Sequence, residues 1–171
     1  LSNLGAEESK VRFGKKIGGS EIWESWTTQT SYTFTPLDPN TRYIFQVQAR
    51  NGRSYETDVV STNELCTLCY PPQSPEIDNV TSSSLTLRWS PPSGTVNYYL
   101  IKEQGDFIDD ENNIPVKYYN SPLDRANLQY PNRQYTYQIY AVNQADEYDE
   151  ISSVSISTFT KCAVPPAPEI T

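Results

Sequence analysis

The chain reads as an all-β protein, two β-sandwiches in tandem. Three observations carry that reading. Apolar and polar residues alternate in run after run, the period of a half-buried strand. Turn residues separate the runs. The sequence also repeats itself about every 92 residues, a length that suits one seven-stranded sandwich.

The alternation is clearest in two stretches. Residues 42–50 (RYIFQVQAR) put Tyr43, Phe45, Val47 and Ala49 on one face, and residues 134–142 do the same with Tyr135, Tyr137, Ile139 and Ala141. Leu85, Leu87 and Trp89 alternate with Thr86 and Arg88. Such strands are apolar toward a core and polar toward water, which is the habit of antiparallel sheets. Turn signals fall between the runs at Gly18-Gly19, Pro39-Asn40, Asn51-Gly52, Pro91-Pro92-Ser93-Gly94 and Pro131-Asn132.

The repeat aligns NTRYIFQVQARN, from Asn40, with NRQYTYQIYAVN, from Asn132. Asn40 meets Asn132, Tyr43 meets Tyr135, Val47 meets Ile139, Ala49 meets Ala141 and Asn51 meets Asn143. CYPPQSPEI, from Cys69, recurs as CAVPPAPEI, from Cys162. The unit is therefore about 90 residues, with a Pro-rich linker between copies.

The second unit resembles a fibronectin type III domain along nearly its whole length. PPQSPEIDNVTSSSLTLRWSPPSG looks like that family's Pro-rich opening, strand A, and a strand B ending in a core Trp, here Trp89, followed by Pro. VNYYLIKEQG resembles strand C, RQYTYQIYAVN strand F and SSVSISTFT strand G. In the first unit LDPNTRY, from Leu37, is similar to the family's E–F corner, where the hydroxyl of a Tyr (here Tyr43) bonds back to the chain. Leu128, Pro131 and Tyr135 hold that place in the second unit, with one extra residue. The resemblance implies that Trp89, Tyr43, Tyr135, Leu37 and Leu128 are structural core. It places Trp89 near Tyr99, Tyr137 and Ile139, and makes Trp23 a packing residue.

The first unit departs from the pattern. Trp89 projected back by 92 residues falls before Leu1, so strands A and B have no counterpart in the printed sequence. Strand C is expected at residues 9–13, and one of the two sheets is expected to shrink to strand E. The divisions are residues 1–68 for a partial domain (strands C to G), 69–163 for a complete one, and 164–171 for a linker and the start of a third repeat. The chain looks cut from a longer array. Completion by another molecule is the alternative, with PPAPEIT resembling a strand A that an open sheet edge could accept.

Composition narrows the function. Lys and Arg number 13, Asp and Glu 21, and the net charge is −8. The chain has no His and no Met. Absence of His removes the commonest general base and every Ser–His or Cys–His pair, so no catalytic role is expected. The negative balance disfavours nucleic acid as a partner. No run of about 18 apolar residues offers a membrane span, and no charged leader opens the printed chain.

The other motifs have bland readings. Cys66 and Cys69 form a single C-x-x-C, which without a second pair or a His is no zinc site. In an extended segment their Cα atoms would stand about 10 Å apart, beyond disulfide reach, and Cys162 belongs to the far end of a sandwich. Unbridged thiols are the expectation, with a tight Cys66–Cys69 bridge or an intermolecular one as the alternatives. Asn79-Val80-Thr81 is a glycosylation sequon. With 12 Asn residues in a Ser/Thr-rich chain, one sequon by itself says nothing about secretion. Asp106, Asp109, Asp110 and Glu111 are assigned to the second unit's C–C′ loop, and Asp146, Glu147, Asp149 and Glu150 to its F–G loop. Solvated loops rather than calcium sites are the expectation. Asn51-Gly52-Arg53 sits in the first unit's F–G turn, where fibronectin, the family's namesake, carries an integrin-binding tripeptide. Asn-Gly is also the preferred dipeptide of a tight hairpin. Lys15 and Lys16 fall in GKKIGG, the first unit's expected C–C′ loop, and are expected to approach the acidic F–G loop of the second unit.

The expected function is that of a non-catalytic structural or adhesive segment of a larger surface or filament protein, acting as spacer and protein-interaction module, with no cofactor. The alternatives are an accessory module of a polysaccharide-degrading enzyme and an intracellular scaffold of muscle or ciliary type. Neighbouring repeats, other copies or another protein would be the partners. The expected location is extracellular or cell-surface, with an intracellular cytoskeletal or ciliary one as the alternative.

Overall fold

The computed structural model describes residues 8–166. It divides into two compact units, Leu1–Thr67 and Leu68–Thr171. Among the described residues regular structure is strand, apart from one turn of 3₁₀ helix.

The first unit has one five-stranded sheet. Its strands are β1 (Lys10–Ile17), β2 (Ser20–Trp23), β3 (Arg42–Arg50), β4 (Val60–Ser61) and β5 (Leu65–Cys66). They lie in the order β2-β1-β3-β4, with β5 pairing further back along β3. Gly18 and Gly19 close the β1–β2 hairpin, both at positive φ (54° and 94°). Two residues at positive φ give the turn whose twist matches the strands it joins.

Two sequence expectations are corrected here. Lys15 and Lys16 do not lie in a loop. They belong to β1 and pair on both sides, Lys15 with Ile22 and Phe45, Lys16 with Glu21 and Ile44. The stretch lacks apolar alternation, yet the ladder continues because β2 and β3 supply partners for its backbone groups. Strand E does not form either. Tyr32 and Phe34 lie outside any described strand and pack through their rings: Phe13 on Tyr32 at 5.7 Å, Tyr32 on Phe34 at 4.8 Å, Phe34 on Phe45 at 5.0 Å between ring centres.

The second unit is a seven-stranded sandwich. One sheet orders β10-β7-β6 and the other β12-β11-β8-β9. The strands are β6 (Gln73–Asp78), β7 (Leu85–Ser90), β8 (Tyr98–Glu103), β9 (Asp106–Phe107), β10 (Leu123–Arg125), β11 (Gln134–Val142) and β12 (Ser153–Phe159). Leu85, Leu87 and Trp89 from one sheet meet Tyr99, Ile101, Tyr137, Ile139 and Ala141 from the other, and Leu128 and Tyr135 close the end.

The alternation understated burial in this unit. Beside the main core, Tyr98, Leu100, Tyr140 and Val142 form a second buried cluster, with Phe107 packed against it. Those residues occupy the alternate positions of β8 and β11, the face expected to meet water. Phe107 and Tyr148 cover it, each ring standing across Tyr140 at 5.9 and 5.3 Å. The acidic cluster around Asp110 is also relocated. The β8–β9 turn is Gln104 and Gly105, at φ 56° and 100°. Asp106 opens β9, and Asp110 and Glu111 lie in the next turn.

Candidate functional site

The E–F corner is built alike in both units. The Asp38 amide donates to the Tyr43 hydroxyl at 2.9 Å, and the Tyr130 amide donates to the Tyr135 hydroxyl at 3.2 Å. Both bonds span five residues, so the extra residue of the second unit is absorbed at Gln129, before the corner begins. Asn40 and Asn132 make the bend with φ of 46° and 52°, a region Asn tolerates better than most residues. A threonine then ties each corner to the departing strand. Thr67 Oγ1 accepts from the Thr41 amide at 3.0 Å and donates to the Asp38 carbonyl at 2.6 Å. Thr160 Oγ1 accepts from the Arg133 amide and donates to the Tyr130 carbonyl, both at 3.1 Å. The sequence reading missed this pair. The signal was present, since Thr67 and Thr160 stand two residues before the aligned Cys69 and Cys162.

Each corner buries its tyrosine, but the surroundings differ. Among the described residues of the first unit, Tyr43 is the one fully buried apolar side chain, at 1% exposure. Leu37 is half-buried. In the second unit Tyr135, Leu128 and Trp89 are all buried, and Trp89 meets Tyr99 edge-on at 5.4 Å.

The F–G loops repeat as closely as the corners. Asn51 Oδ1 accepts from the amides of Arg53 and Tyr55, while the Asn51 amide donates to the Tyr55 carbonyl. Asn143 Oδ1 accepts from Ala145 and Glu147, and the Asn143 amide donates to the Glu147 carbonyl. Ser54 and Asp146 take positive φ at the third loop position. These are three-residue hairpin loops, a tight turn followed by one left-handed residue. Asn51 heads its loop, and Ser54 carries the left-handed backbone. Gly52 and Arg53 form the tip, with Arg53 exposed.

The acidic residues of the second F–G loop are engaged inside their own unit. Glu147 accepts from Asn143 Nδ2 at 3.1 Å, and Asp146 from Asn97 Nδ2 at 3.4 Å. Asp149 caps the 3₁₀ turn Glu150–Ser152, and Glu150 accepts from the Tyr140 hydroxyl at 2.7 Å and from Gln138. Asp110 heads a loop of the same kind as the two above. Its carboxylate accepts from the amides of Ile114 and Asn112, which hold its pKa below the usual carboxylate range. Among the described residues no group of three His, Cys, Asp or Glu side chains is placed to hold a metal. Cys66 Sγ lies 3.8 Å from Asn40 Oδ1, Cys69 is buried with Sγ 3.7 Å from the Thr95 carbonyl, and Cys162 is exposed.

The two faces of the first sheet differ in kind. One carries Phe13, Phe45 and Val47, which with Tyr32, Phe34 and Val60 line an apolar groove of about 300 Å³. Tyr32 and Val60 are 42% and 65% exposed. The opposite face carries a ladder of alternating cations and rings. Arg12 stands 4.6 Å over Trp23 and 4.8 Å over Trp26, and Arg50 stands 4.3 Å over Trp26. Trp23 lies across Gly14, where an added Cβ would come within 2.7 Å of the ring. Trp23 is thus a packing residue on this face. Lys16 pairs with Glu21 at 3.8 Å on this face, whereas Lys15 belongs to the apolar one, where its Nζ sits 5.9 Å over the Tyr43 ring.

A polar clip crosses between the sheets of the second unit. Glu103 accepts from Arg125 at 2.9 Å and from the Tyr137 hydroxyl at 2.8 Å. Burial, and then that bond to a carboxylate, push the Tyr137 pKa well above the ordinary tyrosine value.

Known proteins agree with this architecture. The family model for the Fibronectin type III domain matches residues 7–63 and 70–158. The chain is 34% identical to the collagen alpha-1(XII) chain of Oryctolagus cuniculus over 76 residues, 44% of this chain and 12% of that one. It is 40% identical to human tenascin-R over 65 residues, 38% of this chain and 5% of that one. It therefore spans only a small part of these relatives' length. A two-domain fibronectin type III segment of chicken tenascin shares the fold, with TM-score 0.58 at 20% identity over 88% of this chain and 84% of that one. With the corner, the sandwich and the family match in place, the chain belongs to the fibronectin type III family, as two such domains in tandem.

Proposed function

We propose that the chain is a non-catalytic structural and adhesive segment of a larger surface or filament protein outside the cell. It spaces its neighbours and presents loops to protein partners. The observation that carries this reading is the tandem pair itself, matched in part to collagen XII and tenascin-R, both proteins of the extracellular matrix. The chemistry of the loops agrees. Their polar groups are spent on holding backbone shape, which suits a rigid display surface rather than a reaction centre. Arg53, exposed at the tip of a loop whose backbone Asn51 fixes, is the side chain best placed to meet a partner at low entropic cost. Neighbouring repeats, other copies of the chain or a separate protein are the partners this reading allows.

Staining of intact, unpermeabilised cells with an antibody to residues 70–158 tests the location. Signal without permeabilisation is expected, and signal only after permeabilisation overturns it. Adhesion of cells to surfaces coated with the chain tests the role. Attachment should fall on Arg53→Ala, and attachment no better than to an uncoated surface removes the adhesive reading.

A further inference from the structure

We infer that Asn79 is a site of N-linked glycosylation, an inference that rests on the extracellular reading above. A sequon alone is weak, because chance supplies such triplets. What distinguishes this one is its setting. Asn79 and Thr81 are exposed and flank Val80, which turns inward onto the core of the second unit. The triplet lies in the turn between β6 and β7, so the acceptor stands on a protruding corner with its middle residue as anchor. It is the chain's sole Asn-x-Ser/Thr triplet without Pro.

The hydrogen bonds around Asn79 leave room for the sugar. Thr86 Oγ1 donates its proton to Asp124 at 2.8 Å, so it can only accept from Asn79, and it does so from Nδ2 at 3.3 Å. That relay orients the amide and uses one of its two N–H groups. In the transfer, Nδ2 forms a bond to C1 of the first sugar of a lipid-diphosphate-linked oligosaccharide. The bond from C1 to the diphosphate oxygen breaks, lipid diphosphate leaves, and Nδ2 gives up one proton. The N–H that remains is the one the Thr86 bond needs, so the folded turn accepts the modification without rearranging. Asn79 has φ 51°, a conformation in which Asn is among the least strained non-glycine residues.

The position has a consequence within the unit. The Lys161 amide donates to the Thr81 carbonyl at 2.9 Å, so the glycan would stand where the chain leaves β12. The F–G loop, at the opposite end of the same sandwich, would stay uncovered for contacts.

The test is to secrete the full chain from a eukaryotic cell behind a cleavable leader and treat it with peptide N-glycosidase. A glycosidase-sensitive mobility shift is expected for the wild type and for Thr81→Ser, with Asp left at position 79 in the peptide mass. The shift should vanish in Asn79→Asp, which keeps the side-chain shape, and in Thr81→Ala. A secreted wild-type chain with unmodified Asn79 overturns the site whatever the variants do. The leader sends the chain through the secretory lumen regardless of its natural address. Failure there therefore speaks against the site alone, while staining of the natural protein only inside cells speaks against the extracellular reading.

Discussion

The two units share their corners and loops, bond for bond, and differ in what those corners hold together. In the second unit the corner closes a core between two sheets, with Trp89, Tyr137 and Ile139 at 5%, 0% and 0% exposure. In the first unit the same corner, with the same threonine tie, stands on a single sheet whose apolar face is lined by half-exposed rings. Local hydrogen bonding is thus independent of core formation here. A corner needs only its Tyr, its Asn at positive φ and its Thr, all within one strand and its neighbour. Burial needs a second layer, because a sheet hides one face only against another element.

The largest expected effect tests that contrast directly. Trp89→Ala should destabilise the second unit by about 3–5 kcal/mol, the cost of emptying a packed aromatic site. Phe45→Ala in the first unit should cost clearly less, since its ring is half-exposed and its neighbours can settle into the space. Urea unfolding followed by circular dichroism would read the units as separate transitions, with the fluorescence of Trp23 and Trp26 marking the first unit's. Equal losses at the two positions would show that the first unit is packed as tightly as the second.

The threonine tie sharpens the part the units share. Thr160→Val keeps the shape and removes the hydroxyl, leaving the Arg133 amide and the Tyr130 carbonyl short of a partner. Thr160 is 2% exposed, so the loss should be about 1–3 kcal/mol. Thr67→Val should cost less, because Thr67 is half-buried and water can reach the groups it abandons. A larger loss at Thr67 than at Thr160 in the same denaturation series would contradict the idea that burial sets the difference.

The third effect belongs to the second unit alone. The raised Tyr137 pKa means that the folded state holds its proton more tightly than the unfolded state does. That contribution is fully present below the unfolded tyrosine pKa of about 10 and is lost as pH rises beyond it. By pH 11 the loss attributable to this group is on the order of 1 kcal/mol. Tyr137→Phe should therefore lower stability at neutral pH and flatten its decline between about pH 9 and pH 11. An equally steep decline in the variant would assign the alkaline sensitivity to other tyrosines.

Much of this was legible in the sequence, and the misses have physical causes. The alternation of β7 and β11 marked the core face because one side of each strand is continuously apolar. The buried outer cluster was not visible, because Tyr98, Tyr140 and Phe107 combine rings with polar tips, and the covering residues come from β9 and the F–G loop. Lys15 and Lys16 looked like loop residues because charge in a strand is no different, by pattern, from charge in a turn. Only the register of β2 and β3 settles it. Asn51-Gly52 marked a turn without giving its kind. The Asn side chain can act as a surrogate carbonyl and cap the loop, which competes with the two-residue turn that the dipeptide suggests. The threonine tie stayed hidden because Thr67 and Thr160 fall between the two aligned segments of the repeat, where a hydroxyl by itself carries no pattern.

The smallest expected effect is an exposed ion pair of the first unit set against the half-buried one of the second. Lys16 stands 3.8 Å from Glu21 with both side chains well exposed, whereas Arg125 meets Glu103 at 2.9 Å with both mostly covered. Exposed pairs are worth about 0–1 kcal/mol and are screened by salt. Lys16→Gln should therefore shift the first unit's urea midpoint little, and by less still in about 1 M salt. A loss in the first unit equal to that of Arg125→Gln in the second would show that burial does not set the worth of these pairs.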